Sequence, residues 1–130
     1  MIGLDTNLLI RYLAQDDPRQ SAVANRLIET ELSEKRVGFI THIVLVEIIW
    51  VLESCYNQKK EALVSVIESL LTTKQIIVER AEIVHLALKK YRAGSADFSD
   101  ALILAVCEAS GCERTVTFDK KAAAIGMEKL

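Results

Sequence analysis

The sequence contains one proline, Pro18, and five glycines in 130 residues. Both are too scarce for a collagenous, linker-like or low-complexity chain. Its three cysteines, Cys55, Cys107 and Cys112, are odd in number and form no CxxC pair, which argues against a disulfide framework and against a zinc site. They are expected as buried thiols in a reducing cytoplasm. A basic excess is also missing: 16 Lys and Arg stand against 18 Asp and Glu, a net charge of −2. No general field therefore attracts a nucleic acid backbone, and any such partner must be held locally. The longest apolar run, residues 43–52, is broken by Glu47 and is too short to span a bilayer. No signal peptide precedes the first strand-like residues, so the expected location is cytoplasmic, away from membranes.

What remains is the balance of an ordinary folded domain, with 51% apolar and 26% charged residues. At this length one domain, residues 1–130, buries roughly two-thirds of its unfolded surface. Short apolar runs at Ile2-Gly3-Leu4, Val37-Gly38-Phe39-Ile40, Gln75-Ile76-Ile77-Val78 and Thr115-Val116-Thr117-Phe118 read as strands. Between them lie helical patterns. Thr6 or Asn7 is placed to cap the first helix, Asp17 with Pro18 to start a second, and Thr41 to start the helix over residues 43–56. The stripe Val23, Leu27, Ile28 predicts the inner face of the second helix. A helix from Glu61, another ended by Gly94, a third from Asp97 to Gly111, and a last piece after Lys120 complete the order β-α-α-β-α-α-β-α-α-β-α. That alternation predicts an α/β fold, three layers α/β/α, with a central parallel sheet of about four or five strands.

Acids occupy unusual places in this pattern. Asp5 and Asp119 end apolar strands, Asp97 and Asp100 open a helix, and Glu47 sits in a helix whose neighbours at three and four positions, Ile43, Val44, Trp50 and Val51, are all apolar. In a parallel sheet the carboxyl ends of strands share one edge, and helices that follow strands start there. Asp5, Glu47, Asp100 and Asp119 are thus expected at one edge. Two such charges about 5 Å apart repel by roughly 3 kcal/mol at an effective dielectric of 20. A hard cation, Mg²⁺ or Mn²⁺, relieves that repulsion and suits carboxylate oxygens. Local roles compete with this reading. Asp5 and Asp119 are each placed to cap a helix, and Asp97 has the spacing to accept from the backbone N–H of Asp100. Asp100, in the first helical turn, is expected to stay ionised.

Taken together, Leu4-Asp5-Thr6-Asn7, Glu47 in its apolar helix, Asp97-Phe98-Ser99-Asp100-Ala101-Leu102-Ile103 and Thr117-Phe118-Asp119 resemble the PIN-domain ribonucleases, most closely the VapC-type toxins of toxin–antitoxin pairs. The likeness covers nearly the whole chain. It implies catalytic acids at Asp5, Glu47, Asp100 and Asp119, which would bind Mg²⁺ or Mn²⁺, with Asp97 as an optional neighbour and Thr6, Asn7 and Thr117 in support. The activity implied is hydrolysis of RNA phosphodiesters by a homodimer that a small antitoxin inhibits. The family's final strand has little length available after Gly126-Met127-Glu128.

Among the basic residues, Arg11, one turn beyond Asn7, and Lys120, just past Asp119, are candidates for RNA contact beside their plainer reading as surface charges. His42 and His85 are too isolated to serve as general bases. Other readings are a housekeeping RNA-processing PIN nuclease or an inactive RNA-binding relative. A receiver-type signalling domain is more remote, because neither middle strand ends on a phosphate-accepting Asp.

Overall fold

Residues 1–130 are all described by a computed structural model, which resolves into two compact units, Met1–Glu79 and Arg80–Leu130. In the first, the elements run β1 (Ile2–Gly3), α1 (Thr6–Ala14), α2 (Pro18–Arg26), a π-helical turn (Leu27–Glu31), β2 (Gly38–Ile40), α3 (His42–Tyr56), α4 (Lys60–Thr72) and β3 (Ile76–Val78). The strands form a parallel sheet in the order β1-β2-β3. Helix α1 packs on α2 and α3, α3 on α4, and α4 on β3. Leu9, Ile40, Leu45, Ile48, Leu52, Leu63 and Ile67 are fully buried, so the helical stripes read from the sequence supply the core.

At one position in this unit even a methyl group would crowd its neighbours. A Cβ on Gly38 would stand 2.6 Å from Leu4 Cδ1 and 2.9 Å from Leu32 Cδ1. The close approach of β2 to these leucines therefore depends on glycine.

Several local expectations hold. Asp17 Oδ1 accepts from the Gln20 N–H at 3.0 Å, with Pro18 opening α2, and Thr41 Oγ1 accepts from the Val44 N–H at 3.2 Å. Others do not. The cap of α1 is Asp5 by backbone position, not Thr6 or Asn7, and its carboxylate makes no capping bond. Helix α2 turns Ser21 and Ala24 inward, with Ile28 buried just beyond it, and Val23 stays 65% exposed. The Ser21 hydroxyl donates to the Arg11 carbonyl at 2.7 Å, a bond that favours this rotation over one led by Val23.

The second unit contains α5 (Ala81–Ala93), α6 (Phe98–Ala109), β4 (Val116–Thr117), α7 (Lys120–Ala124) and β5 (Glu128–Lys129). Helices α5 and α6 pack along each other, with Tyr91 and Phe98 edge to face at 5.7 Å between ring centres. The fold is α/β with parallel pairing, but the strands divide. Three form one sheet and two form another, instead of one sheet of four or five. The physical reason is that the segment around β4 bonds to the chain end: the Glu128 N–H donates to the Thr115 carbonyl at 2.7 Å and the Leu130 N–H to Thr117 at 2.9 Å. The last residues thus do form a strand. The thiols also differ from expectation. Cys55 and Cys112 are exposed and Cys107 is half-buried, since Cys55 lies in the last turn of α3 and Cys112 follows the turn at Gly111, where φ is +85°.

Candidate active site

In the first unit β1 leads through buried Leu4 to Asp5, and α1 begins at the next residue. Thr6 is 8% exposed, and its hydroxyl donates to Glu47 Oε1 at 2.8 Å. That bond ties the start of α1 to the second turn of α3, where Leu45, Ile48 and Ile49 face the core. Glu47 is exposed, and the outer face it shares is apolar: Ile43 is 73% exposed and Trp50 63%. The start of α3 has its own fastening. The His42 N–H donates to Glu79 Oε1 at 2.8 Å, and His42 Nε2 lies 2.7 Å from the Glu79 carbonyl.

In the second unit Asp97 precedes α6 and Asp100 lies in its first turn. Phe98, Ala101, Leu102, Leu104 and Ala105 bury the other face of the helix. Asp97 occupies the cap position, but its carboxylate accepts no capping bond. Instead the Asp100 carboxylate accepts from the Asp97 N–H, the reciprocal half of a capping box. Burial, then the charges of Asp97 and Asp119, push the Asp100 carboxyl above the ordinary carboxylate range, against the lowering effect of that backbone bond.

Asp119 does cap α7, through Oδ1 to the Lys121 N–H at 2.9 Å, while Thr117 Oγ1 accepts from the Asp119 N–H at 3.0 Å. One carboxylate oxygen is used locally and the other is not. Ion pairs elsewhere engage Asp16, Glu31, Glu82, Glu108 and Glu128, and none of them places a cation on Asp97, Asp100 or Asp119. Within neither unit do three or more His, Cys, Asp or Glu side chains stand close enough to hold a metal ion as they rest. The donor types nevertheless suit a hard divalent cation, being carboxylate, hydroxyl and amide oxygens without sulfur.

Residues 2–127 match the family model described as PIN domain. The chain belongs to the PIN domain family. It is similar to a VapC ribonuclease of Aquifex aeolicus (strain VF5), with 22% identity over 125 residues that cover 96% of this chain and 92% of the relative.

Within this PIN domain Glu79, which the sequence pattern did not single out, fastens the start of α3 through His42. Its signal was present: an acid directly after β3, as Asp5 and Asp119 follow soon after β1 and β4. Asn7, in α1, is exposed. Arg11 is half-buried and held, with Nε donating to Gln20 Oε1 at 2.7 Å and Nη1 to Asp16 Oδ1 at 3.5 Å. Lys120 opens α7 and is exposed. No helix of this PIN domain is long and apolar enough to cross a membrane.

Proposed function

We propose that this PIN domain is a divalent-metal-dependent endoribonuclease, the toxin of a cytoplasmic toxin–antitoxin pair, with residues 1–130 acting as one catalytic domain. The observation that carries the reading is the crowding at α6, where burial and then the charges of Asp97 and Asp119 hold the Asp100 carboxyl above its ordinary range. Mutual repulsion of this kind, without a neutralising side chain, favours a bound cation. Similarity to a protein named VapC ribonuclease supports RNA as the substrate.

In the mechanism that the family resemblance implies, Asp5, Asp100 and Asp119 would hold Mg²⁺ or Mn²⁺, with Asp97 as an outer neighbour. Glu47, oriented by Thr6, completes the donor set or accepts a proton from the attacking water. When bound, the ion supplies charge neutralisation at the phosphate and a more acidic water. Thr117 steadies the backbone of Asp119, and Asn7 offers an amide beside the first acid. Lys120 draws in the RNA backbone near Asp119. The apolar outer face of α3 around Ile43 and Trp50 supports docking of a second copy or of an antitoxin peptide beside Glu47.

The test is incubation of the purified protein with a panel of tRNA and rRNA in Mg²⁺, Mn²⁺ or EDTA, alongside Asp5→Asn. Cleavage is expected with either ion, and none in EDTA or in the variant. Full activity of Asp5→Asn sinks the assignment. Retained RNA binding with no cleavage under any metal condition reassigns the protein as a binding domain.

A further inference from the structure

A cleft of about 350 Å³ opens between α1 and α2, lined by Asn7, Leu8, Arg11, Arg19, Gln20, Val23 and Ala24. From its position and charge we infer that this cleft is a subsite for one nucleotide of the RNA next to the scissile bond, with Arg11 and Arg19 on the phosphate. The inference rests on the nuclease reading above and extends it to a place that none of the acids occupies.

The chemistry of the lining is specific. A guanidinium has five N–H groups. Gln20 and Asp16 take one each from Arg11 and the Tyr56 hydroxyl takes another, so about two of the five remain for an incoming anion. Asp16 is itself shared, since it accepts from the Tyr56 hydroxyl at 2.6 Å, and that bond, the largest cause, holds its carboxyl below the ordinary range. Arg11 is therefore oriented without being saturated, which reduces the entropy lost when it grips a phosphate. Arg19, across the cleft at the start of α2, is exposed. Arg11 is paired with Asp16, and Arg19 adds a second guanidinium on the opposite wall, a local hold of the kind that a chain of net charge −2 requires.

The remaining lining suits the rest of a nucleotide. Val23, turned outward against the sequence pattern, joins Leu8 and Ala24 as an apolar wall for a base face or ribose. The volume lies at the small end of the range for ligand pockets, about 300–1,000 Å³, which fits about one nucleotide better than a docked helix. The cleft reaches the start of α1, where Asn7 lines it two residues beyond Asp5 on the helix that carries Arg11.

Binding is to be measured by fluorescence anisotropy with a labelled single-stranded RNA, in EDTA, on the Asp5→Asn protein with and without Arg19→Gln. Because Arg19 is exposed, the added change spares the fold. About fivefold weaker binding is expected. The slope of log affinity against log salt should also shrink by about 0.7, the loss of one phosphate contact on a single strand. Arg26→Gln removes the same charge from α2 outside the cleft, at a side chain 79% exposed, and is expected to change binding less than twofold. Equal effects of the two substitutions, or no effect of Arg19→Gln, overturn the subsite. So does binding of an acidic peptide that Arg19→Gln abolishes while RNA affinity stays intact, which makes the cleft a peptide seat. If the wild-type protein cleaves no RNA but Arg19→Gln weakens binding and its salt slope, the nuclease reading fails and the subsite stands. If cleavage is found and Arg19→Gln changes nothing, only the subsite fails.

Discussion

The Thr6 hydroxyl donates to Glu47 Oε1 at 2.8 Å across 41 positions of sequence. It joins the first residue of α1 to an acid on the outer face of α3, so the direction of Glu47 is set by the residue that follows Asp5. Thr6→Val keeps the shape and removes the donor. The expected loss is about 1 kcal/mol of stability and about 10–100-fold in RNA cleavage, typical for a partner that orients a metal-site carboxylate. Thr6→Ser should restore most of the activity. Wild-type rates in Thr6→Val would show that Glu47 needs no such support.

Asp100 carries a charge that the folded state disfavours. Its carboxyl is raised by burial and by Asp97 and Asp119, so below the ordinary carboxylate range it is neutral in both states and costs nothing. As pH climbs from that range to the raised value, the unfolded chain gives up its proton first and stability is lost. Asp100→Asn should therefore raise the metal-free melting temperature at pH 7, by up to about 1 kcal/mol equivalent after allowing for its partial exposure. The gain should vanish near pH 3. A gain that persists there points to packing instead of charge.

The same crowding predicts how metal ions act on stability. Mn²⁺ or Mg²⁺ at about a hundred times its dissociation constant should stabilise the protein by about 2.7 kcal/mol. EDTA should reverse the shift, and Asp100→Asn should abolish it. Differential scanning fluorimetry reads all three. An equal metal-induced shift in the variant would remove Asp100 from the ligand set.

Gly38→Ala tests how far packing under β1 governs the site. The new methyl meets Leu4 Cδ1 and Leu32 Cδ1 below 3 Å, and both leucines are buried. A loss of about 1–3 kcal/mol is expected by chemical denaturation. Cleavage should fall as well, because Leu4 leads directly into Asp5.

Local sequence signals located most of the elements. Asp17-Pro18 and Thr41 cap where their chemistry says they should, and Gly94 and Gly111 lie where α5 and α6 end. The acids were legible for a similar reason. A charge at the end of an apolar strand or inside an apolar helix is costly without a partner, so Asp5, Glu47 and Asp119 stand out in one dimension.

Choices among competing partners were not legible. Asp97 was expected to cap through its side chain, yet only the reciprocal bond, from its own N–H to the Asp100 carboxylate, is made, because the two bonds of a capping box use different N–H groups and each depends on its own side-chain rotamer. Val23 and Ser21 compete to face inward across α2, and a hydroxyl bond to the Arg11 carbonyl favours Ser21. β4 pairs with the last residues of the chain, a pairing that depends on which edge lies nearest.

By itself the sequence determined the α/β alternation and the family resemblance and singled out the acids as candidates, since these follow from periodicity, capping chemistry and residue type. Tertiary structure alone decided the division of the strands into two sheets, the Thr6–Glu47 bond, the raised Asp100 and the cleft at Arg11. Each of these arises from distances between residues remote in sequence, and hydrogen bonding, burial and Coulomb repulsion act through distance.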